Sequence, residues 1–140
     1  MSKKGPILLI EDDLNDVDVI VSALKENSVK NVIKHFGKAQ DALDYLAKTT
    51  EQPFLVISDI MMNTMNGLEL RKTIDENEFL RKKSIPFIFL TQAVSQDVVD
   101  EAYDLTVQGF FEKGNNYEDV KKQLDCMVSY WSKCVHPNSF

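Results

Sequence analysis

Residues 7–13 read Ile-Leu-Leu-Ile-Glu-Asp-Asp, so four consecutive apolar side chains are followed directly by three carboxylates. An uninterrupted apolar run of this length is typical of a β-strand that is buried on both faces. Two further runs of this kind occupy residues 54–57 and 87–90. The sequence therefore predicts a sheet whose central strands lie between two covering layers.

Apolar residues outside these runs recur mostly at helical spacing. The stripes are Val17, Ile20, Val21 and Leu24; Ala39, Ala42, Leu43 and Leu46; Leu70 and Ile74; Val98, Val99, Ala102 and Tyr103; and Val120, Leu124, Met127, Val128 and Trp131. Weaker strands are predicted at 110–111 and at 32–36, the latter at a sheet edge because polar residues interrupt it. Five βα repeats in succession predict a doubly wound α/β fold with helices on both faces of a parallel sheet.

Composition limits the class of protein. The chain has 140 residues, a net charge of −6 and 44% hydrophobic residues. We expect a single domain over residues 1–140, with its core at about 6–132 and a frayed tail at 135–140. The acidic balance argues against nucleic-acid binding, and no apolar run suits a signal peptide or a membrane span. We therefore expect a cytoplasmic protein with neither nucleic-acid nor membrane partners.

Cysteine and histidine residues are few. Cys126 and Cys134 lie eight residues apart, and if one continuous helix carries both, their Cα atoms are too far apart for a disulfide, so we expect both to be reduced. No His/Cys spacing resembles a zinc site. His35 falls in the weak second strand and His136 in the tail, and we expect neither to carry chemistry.

Polar residues follow the predicted strands, where a doubly wound sheet has its functional site. Glu11 and Asp12 follow the first strand, Asp59 the third, Thr91 the fourth and Lys113 the fifth. Grouped carboxylates repel one another unless a cation neutralises them, and such hard oxygen ligands suit Mg²⁺. A carboxylate beside Mg²⁺, a lysine and a hydroxyl can attack phosphorus and form an aspartyl phosphate.

Four segments, at residues 7–13, 57–70, 87–91 and 109–113, carry a family resemblance in their order and spacing. Together they resemble a response-regulator receiver domain of two-component signalling, from about residue 6 to residue 131. The resemblance implies a flavodoxin-like (βα)5 sandwich with strand order 2-1-3-4-5. It also implies a stand-alone, phosphoryl-accepting switch.

The resemblance assigns the phosphoryl and metal site. In that family a histidine kinase or a phosphotransfer protein phosphorylates the aspartate after the third strand, which matches Asp59. Mg²⁺, with Mn²⁺ as an alternative, would be bound by Asp12 directly, by Glu11 through water, by Asp59 itself and by the backbone carbonyl of Met61. Thr91 matches the hydroxyl that contacts the phosphoryl group.

The resemblance also assigns a lysine and a switch. Lys113 matches the lysine that pairs with the phosphoryl group, and Phe110 matches the aromatic switch residue of the fifth strand. Phosphorylation would draw Thr91 toward the new oxygens and let Phe110 turn inward. The fourth helix, fifth strand and fifth helix would then form the face that contacts a downstream protein or a second copy.

The sequence departs from the family pattern at two positions. Gly114 replaces the usual proline after Lys113, so we expect a trans bond or an altered loop there. Asn63 replaces a proline that often follows the phospho-acceptor, which should loosen that loop. Met61 and Ala93 flank the site, and because neither side chain can orient a water molecule, we predict slow self-hydrolysis of the aspartyl phosphate.

The expected signalling output depends on which segments the sequence contains. With no DNA-binding or enzyme segment after the last helix, we expect protein contact, phosphoryl relay or a phosphate sink, and no enzyme activity beyond the protein's own phosphorylation and dephosphorylation. The lengthened segment at 77–86 resembles stand-alone receivers that partner phytochrome-type kinases.

Three alternative functions stay open at this point. A degenerate receiver would act as an interaction module alone, although Asp59, Thr91 and Lys113 are all present. A haloacid-dehalogenase-type phosphatase normally has a second aspartate two residues after its nucleophile, where this chain has Met61. A dinucleotide-binding enzyme would need a Gly-x-Gly-x-x-Gly motif after the first strand, and none is there.

Overall fold

The structure is a computed structural model that describes residues 2–92 and 94–138. Its strands are β1 (Ile7–Ile10), β2 (Ile33–Phe36), β3 (Leu55–Ser58), β4 (Phe87–Thr91) and β5 (Gly109–Glu112). Within the described residues they form one parallel sheet in the order β2-β1-β3-β4-β5. The predicted flavodoxin-like topology and strand order are confirmed, and the weak second strand lies at an edge as expected.

The helices cover both faces of the sheet. They are α1 (Leu14–Glu26), α2 (Ala39–Lys48), α3 (Gly67–Glu76), α4 (Glu78–Arg81), α5 (Gln96–Asp104) and α6 (Tyr117–Lys133). One core cluster joins the sheet to α1 and α6, and a second joins it to α2, α3, α4 and α5. The three apolar runs of the sequence, β1, β3 and β4, are buried along their whole length because both of their faces are covered.

Alternation within the strands directs side chains to the two clusters. In β1, Leu8 and Ile10 pack under α2 to α5, whereas Ile7 and Leu9 pack under α1 and α6. The apolar run ends at Ile10, so the acidic residues that follow emerge at the carboxyl edge of the sheet. The same change from apolar to polar side chains ends β3 and β4 and sets the position of the site.

Side-chain caps start the helices close to the strand ends. Asp13 Oδ1 accepts a hydrogen bond from the Asn15 N–H at 2.9 Å and so begins α1. Asn66 and Glu69 form a reciprocal capping box at the start of α3, with bonds of 2.9 and 3.0 Å. These caps hold the loops that carry the acidic residues.

Helix α4 was not predicted by the apolar spacing. Asn77 ends α3 and its Oδ1 caps α4 by accepting from the Leu80 N–H at 3.1 Å. Leu80 is the buried residue of this four-residue helix and packs into the α2 to α5 cluster. A single turn with one apolar anchor has no period that a sequence pattern could reveal.

The expectation of a frayed tail is wrong for residues 135–138. His136 is fully buried, and its Nε2 bonds to the Phe54 carbonyl at 2.7 Å. Asn138 Nδ2 donates to the Lys83 carbonyl at 2.6 Å. The tail is docked by hydrogen bonds and ring contacts, which leave no periodic signal in the sequence. The remaining two tail residues, 139 and 140, lie outside the described part.

Two further observations concern the cysteines and the character of the helices. Cys126 and Cys134 are free thiols, as predicted. In the described part of the chain, none of the helices has the length and apolar character needed to cross a bilayer.

Candidate functional site

The carboxyl ends of β1, β3, β4 and β5 bring the predicted site residues to one edge of the sheet. Backbone hydrogen bonds between neighbouring strands hold the ends of these strands level with one another. The Asp59 N–H donates to the Ile10 carbonyl at 3.0 Å, and the Lys113 N–H donates to the Thr91 carbonyl at 2.8 Å. The side chains that leave these strands therefore share one cleft, as expected for a doubly wound sheet.

Asp59 is the residue on which the site converges. Its Oδ1 accepts hydrogen bonds from Thr91 Oγ1 at 2.6 Å, from the Ile60 N–H at 2.7 Å and from the Met61 N–H at 3.4 Å. Thr91 is fully buried, whereas Asp59 is half-buried and reaches the cleft. The three donors hold the carboxylate in one orientation at the end of β3.

Glu11 lies against Asp59. Its side chain is hydrogen-bonded to the Asp59 carboxylate, and the residue is only 1% exposed. Burial, this hydrogen bond and the charge of Asp59 raise the pKa of Glu11 to about 8, although the Asp13 N–H and Lys113 act in the opposite direction. Glu11 therefore holds a proton near neutral pH, because a buried carboxylate beside a second one is repelled by its charge.

Lys113 reaches the same cleft from β5. Its Nζ lies 3.0 Å from Asp16 Oδ2 and 3.7 Å from Glu11 Oε2. Burial opposes its charge, but Asp16, Glu11 and Asp59 more than compensate and raise the pKa of Lys113. The predicted lysine is thus at the site, close to Asp16 of α1 and to Glu11, which follows β1.

Asp16 is a site residue that the sequence reasoning missed. It lies in the first turn of α1, one turn after the cap Asp13, and its carboxylate faces Lys113. An acidic residue in the first turn of a helix that starts directly after a site-bearing strand was the available signal. The residues at the strand ends predict only Glu11, Asp12 and Asp59 as acids of the cleft.

Asp12 takes a different direction from Glu11. It is exposed, and its Oδ2 accepts from the Asn63 N–H at 3.2 Å. Among the described residues, no three acidic, histidine or cysteine side chains stand close enough together to hold a metal by themselves. Mg²⁺ uses only one or two carboxylates and completes its shell with water and substrate oxygens, so two of the three predicted carboxylates, Glu11, Asp12 and Asp59, are enough for it, and their role as ligands stays a prediction. The Met61 carbonyl stays a predicted ligand.

Both departures from the family pattern place a backbone N–H where proline has none. The Asn63 N–H donates to Asp12 and so connects the loop after Asp59 to the acidic pair, and the loosening of this loop stays a prediction. The Gly114 N–H bonds to Gln123 Oε1 at 3.0 Å. The Lys113–Gly114 peptide bond is trans, as predicted.

The predicted switch and flanking residues are only partly placed. Phe110 is half-buried and meets the edge of Phe89, with ring centroids 5.9 Å apart. The side chain of Met61 is 67% exposed beside the site. Ala93 lies outside the described residues. The switch role of Phe110 and the slow self-hydrolysis stay predictions.

Comparison with known proteins identifies the family. The family model described as the response regulator receiver domain matches residues 7–125. This match covers most of the chain, which therefore belongs to the receiver domains of two-component response regulators.

Individual relatives agree with this assignment. Response regulator Rcp1 from Synechocystis sp. is 26% identical over 134 residues, which cover 92% of this chain and 90% of Rcp1. The Mn²⁺-bound form of Rcp1 shares the fold, with a TM-score of 0.80 and 24% identity over 93% of this chain and 96% of that one. The bacteriophytochrome response regulator AtBRR is similar at 27% identity and a TM-score of 0.68, over 88% of this chain and 92% of that one.

Proposed function

We propose that the protein accepts a phosphoryl group on Asp59 and works as a switch in two-component signalling. The observation that carries this proposal is the convergence on Asp59 of a buried hydroxyl and a buried carboxyl group. Thr91 Oγ1 lies 2.6 Å from Asp59 Oδ1, and Glu11 is hydrogen-bonded to the same carboxylate. Lys113, with its raised pKa, supplies a cation to the cleft.

The proposed reaction is a nucleophilic displacement at phosphorus. A carboxylate oxygen of Asp59 forms the new P–O bond, while the bond from phosphorus to the donor's leaving nitrogen or oxygen breaks and the leaving group keeps the electron pair. Thr91 and Lys113 then donate hydrogen bonds to the oxygens of the transferred group. Because the attack takes place at phosphorus, no bond to the carboxyl carbon of Asp59 breaks.

A divalent cation fits the acidic side of this cleft. Glu11, Asp12 and Asp59 are the side chains that would bind Mg²⁺ or Mn²⁺, together with the Met61 carbonyl. Such a cation would neutralise negative charge on the phosphoryl group and on the carboxylates. Receiver domains bind divalent metals as a family, and Rcp1 has a Mn²⁺-bound form.

Partners and output are proposed from the family and from AtBRR. A histidine kinase or phosphotransfer protein is the expected donor, and a phytochrome-type kinase is the first to test. The output face would consist of α5, β5 and α6, which correspond to the fourth helix, fifth strand and fifth helix of the sequence prediction. We propose a cytoplasmic signalling protein that contacts a downstream protein or a second copy and has no enzyme activity on other substrates.

Phosphorylation is tested with a small-molecule donor. The protein is incubated with Mg²⁺ and acetyl phosphate, and its intact mass is followed with time. We expect one phosphoryl adduct on the parent protein and on the Asp41→Asn control, and none on Asp59→Asn. The side chain of Asp41 is exposed on α2 and takes part in none of the hydrogen bonds or ion pairs described for the cleft.

Two outcomes would contradict the proposal. Failure of the parent protein to form the adduct would favour an interaction module without phosphoryl chemistry. Sustained release of phosphate from a simple phosphate ester would favour a phosphatase instead.

A further inference from the structure

Gln123 binds the chain on both sides of Lys113. Its Nε2 donates to the Glu112 carbonyl at 2.6 Å, and its Oε1 accepts from the Gly114 N–H at 3.0 Å. Both ends of one side-chain amide are therefore used on the two residues that flank the lysine. Gln123 belongs to α6, so a helix outside the cleft holds the backbone from which Lys113 projects.

Gly114 makes this arrangement possible. A proline at this position would lack the N–H that Gln123 accepts. A Cβ on Gly114 would also lie 2.5 Å from Asp119 Cβ and 3.1 Å from the Val120 nitrogen. The start of α6 thus approaches the chain so closely that only glycine fits, and this approach brings Gln123 within hydrogen-bonding reach.

The backbone of Lys113 is held from a second direction as well. Its N–H donates to the Thr91 carbonyl of β4 at 2.8 Å. Gln123 and β4 together therefore fix three consecutive residues, from Glu112 to Gly114. The ammonium group at the end of the side chain is then directed to Asp16 and Glu11, at 3.0 and 3.7 Å.

We propose that Gln123 is a positioning residue for Lys113, an inference that rests on the proposed phosphorylation of Asp59. The glutamine touches neither Asp59 nor the transferred group in this reading. It fixes the backbone around Lys113, so that the ammonium group is already in position to donate hydrogen bonds to the phosphoryl oxygens. Gln123, a side chain of α6, thus fixes the turn after Lys113, where receivers usually have a proline.

The test measures the rate of Asp59 phosphorylation by acetyl phosphate in Mg²⁺, by intact mass, in single and double variants. Gln123→Met keeps the length of the side chain and removes both hydrogen bonds, and we expect the rate to fall about 3- to 10-fold. Lys113→Met should lower the rate further. Because Gln123 acts through the lysine, adding Gln123→Met to Lys113→Met should change nothing more.

Gln40→Met is the matched control, because Gln40 is exposed on α2 and bonds only to Asp44 among the described residues. Its rate should equal that of the parent. If Gln123→Met does not fold, Gln123→Glu replaces it, because glutamate still accepts from the Gly114 N–H but no longer donates to the Glu112 carbonyl. We expect Gln123→Glu to lower the rate as well.

The outcomes separate the two proposals. A parent protein that is not phosphorylated overturns the proposed function itself. A parent that is phosphorylated, with an unchanged rate in Gln123→Met, overturns only the positioning role. Effects of the two substitutions that multiply in the double variant also overturn it, because Gln123 would then act independently of Lys113.

Discussion

Glu11 shows how a single buried carboxyl group links the site to pH. Without a cation beside it, burial and Asp59 raise the pKa of Glu11 from 4.5 to about 8. The folded protein therefore holds a proton near neutral pH that the unfolded chain releases at much lower pH. The free energy of unfolding gains from this proton at low pH, and the gain is lost as the pH rises through about 8.

Magnesium affinity should consequently rise with pH. A divalent cation that binds at this carboxyl group must displace the proton of Glu11, so the apparent dissociation constant should increase by up to about tenfold for each unit by which the pH falls below about 8. Calorimetric titration with Mg²⁺ at pH 6, 7 and 8, in buffers of different ionisation enthalpy, measures both the affinity and the protons released.

Two variants sharpen this measurement. Glu11→Gln should bind Mg²⁺ with little dependence on pH, whereas Asp18→Asn, which alters an exposed acid of α1, should behave like the parent. Equal affinity at the three pH values in the parent would show that Glu11 carries no proton that Mg²⁺ displaces.

At the residue scale, the sequence could predict the members of the site but not their pairing. Glu11, Asp59, Thr91 and Lys113 converge because a strand end fixes where the next side chain lies. Asp16 pairs with Lys113 because of the rotation of α1 about its own axis, and the positions of the strand ends do not determine this rotation.

At the scale of elements, the packing of α3 against β3 decides where Asp59 lies. Gly67 is the first residue of α3, and its N–H donates to the Ile60 carbonyl at 2.9 Å. A Cβ on Gly67 would lie 2.2 Å from the Asp59 carbonyl oxygen and 2.9 Å from Phe89 Cε1. The helix therefore starts in direct contact with the backbone of the proposed phospho-acceptor.

Gly67→Ala should consequently damage both stability and phosphorylation. The added methyl group meets backbone that must move, and overpacking of this kind costs about 1–3 kcal/mol in free energy of unfolding. Urea denaturation measures this loss, and acetyl phosphate labelling should be slower because Asp59 moves with its backbone.

Gly37→Ala is the matched control for this change. A Cβ there would meet nothing within 4 Å, so stability should stay the same or rise by about 0.4–1 kcal/mol. Equal stability of the parent and Gly67→Ala would show that the α3 start can retreat from β3 without loss.

Elements were predictable where they carry a period and unpredictable where they do not. The buried runs of β1, β3 and β4 and the stripes of the longer helices followed from burial on two faces or one. Helix α4 has one turn and one buried anchor, Leu80, so its existence depends on the capping bond from Asn77. Local hydrogen bonding of that kind is not visible in apolar spacing.

At the scale of the whole molecule, the chain end connects parts of the fold that are distant in sequence. The ring of His136 stacks on Phe54, with centroids 5.6 Å apart, and its Nε2 donates to the Phe54 carbonyl just before β3. Its Nδ1 accepts from the Asn138 N–H at 3.1 Å. Asn138 in turn binds the carbonyl of Lys83, between α4 and β4. These contacts lie at the amino ends of the strands, opposite the Asp59 cleft.

Loss of this docking should therefore destabilise the fold and leave the chemistry intact. His136→Ala removes a buried ring and leaves the Phe54 carbonyl without this donor, and we expect a loss of about 2–4 kcal/mol in urea denaturation. Trp131, the single tryptophan, lies 6.1 Å from the His136 ring, so its fluorescence should report the released tail.

Val135→Ala, at a neighbouring residue that is 71% exposed, is the control and should stay within about 0.5 kcal/mol of the parent in free energy of unfolding. Because Asp59 lies at the other end of β3, its labelling by acetyl phosphate should keep the parental rate in both variants, and a slower rate in His136→Ala alone would instead mean that the tail is coupled through β3 to the site.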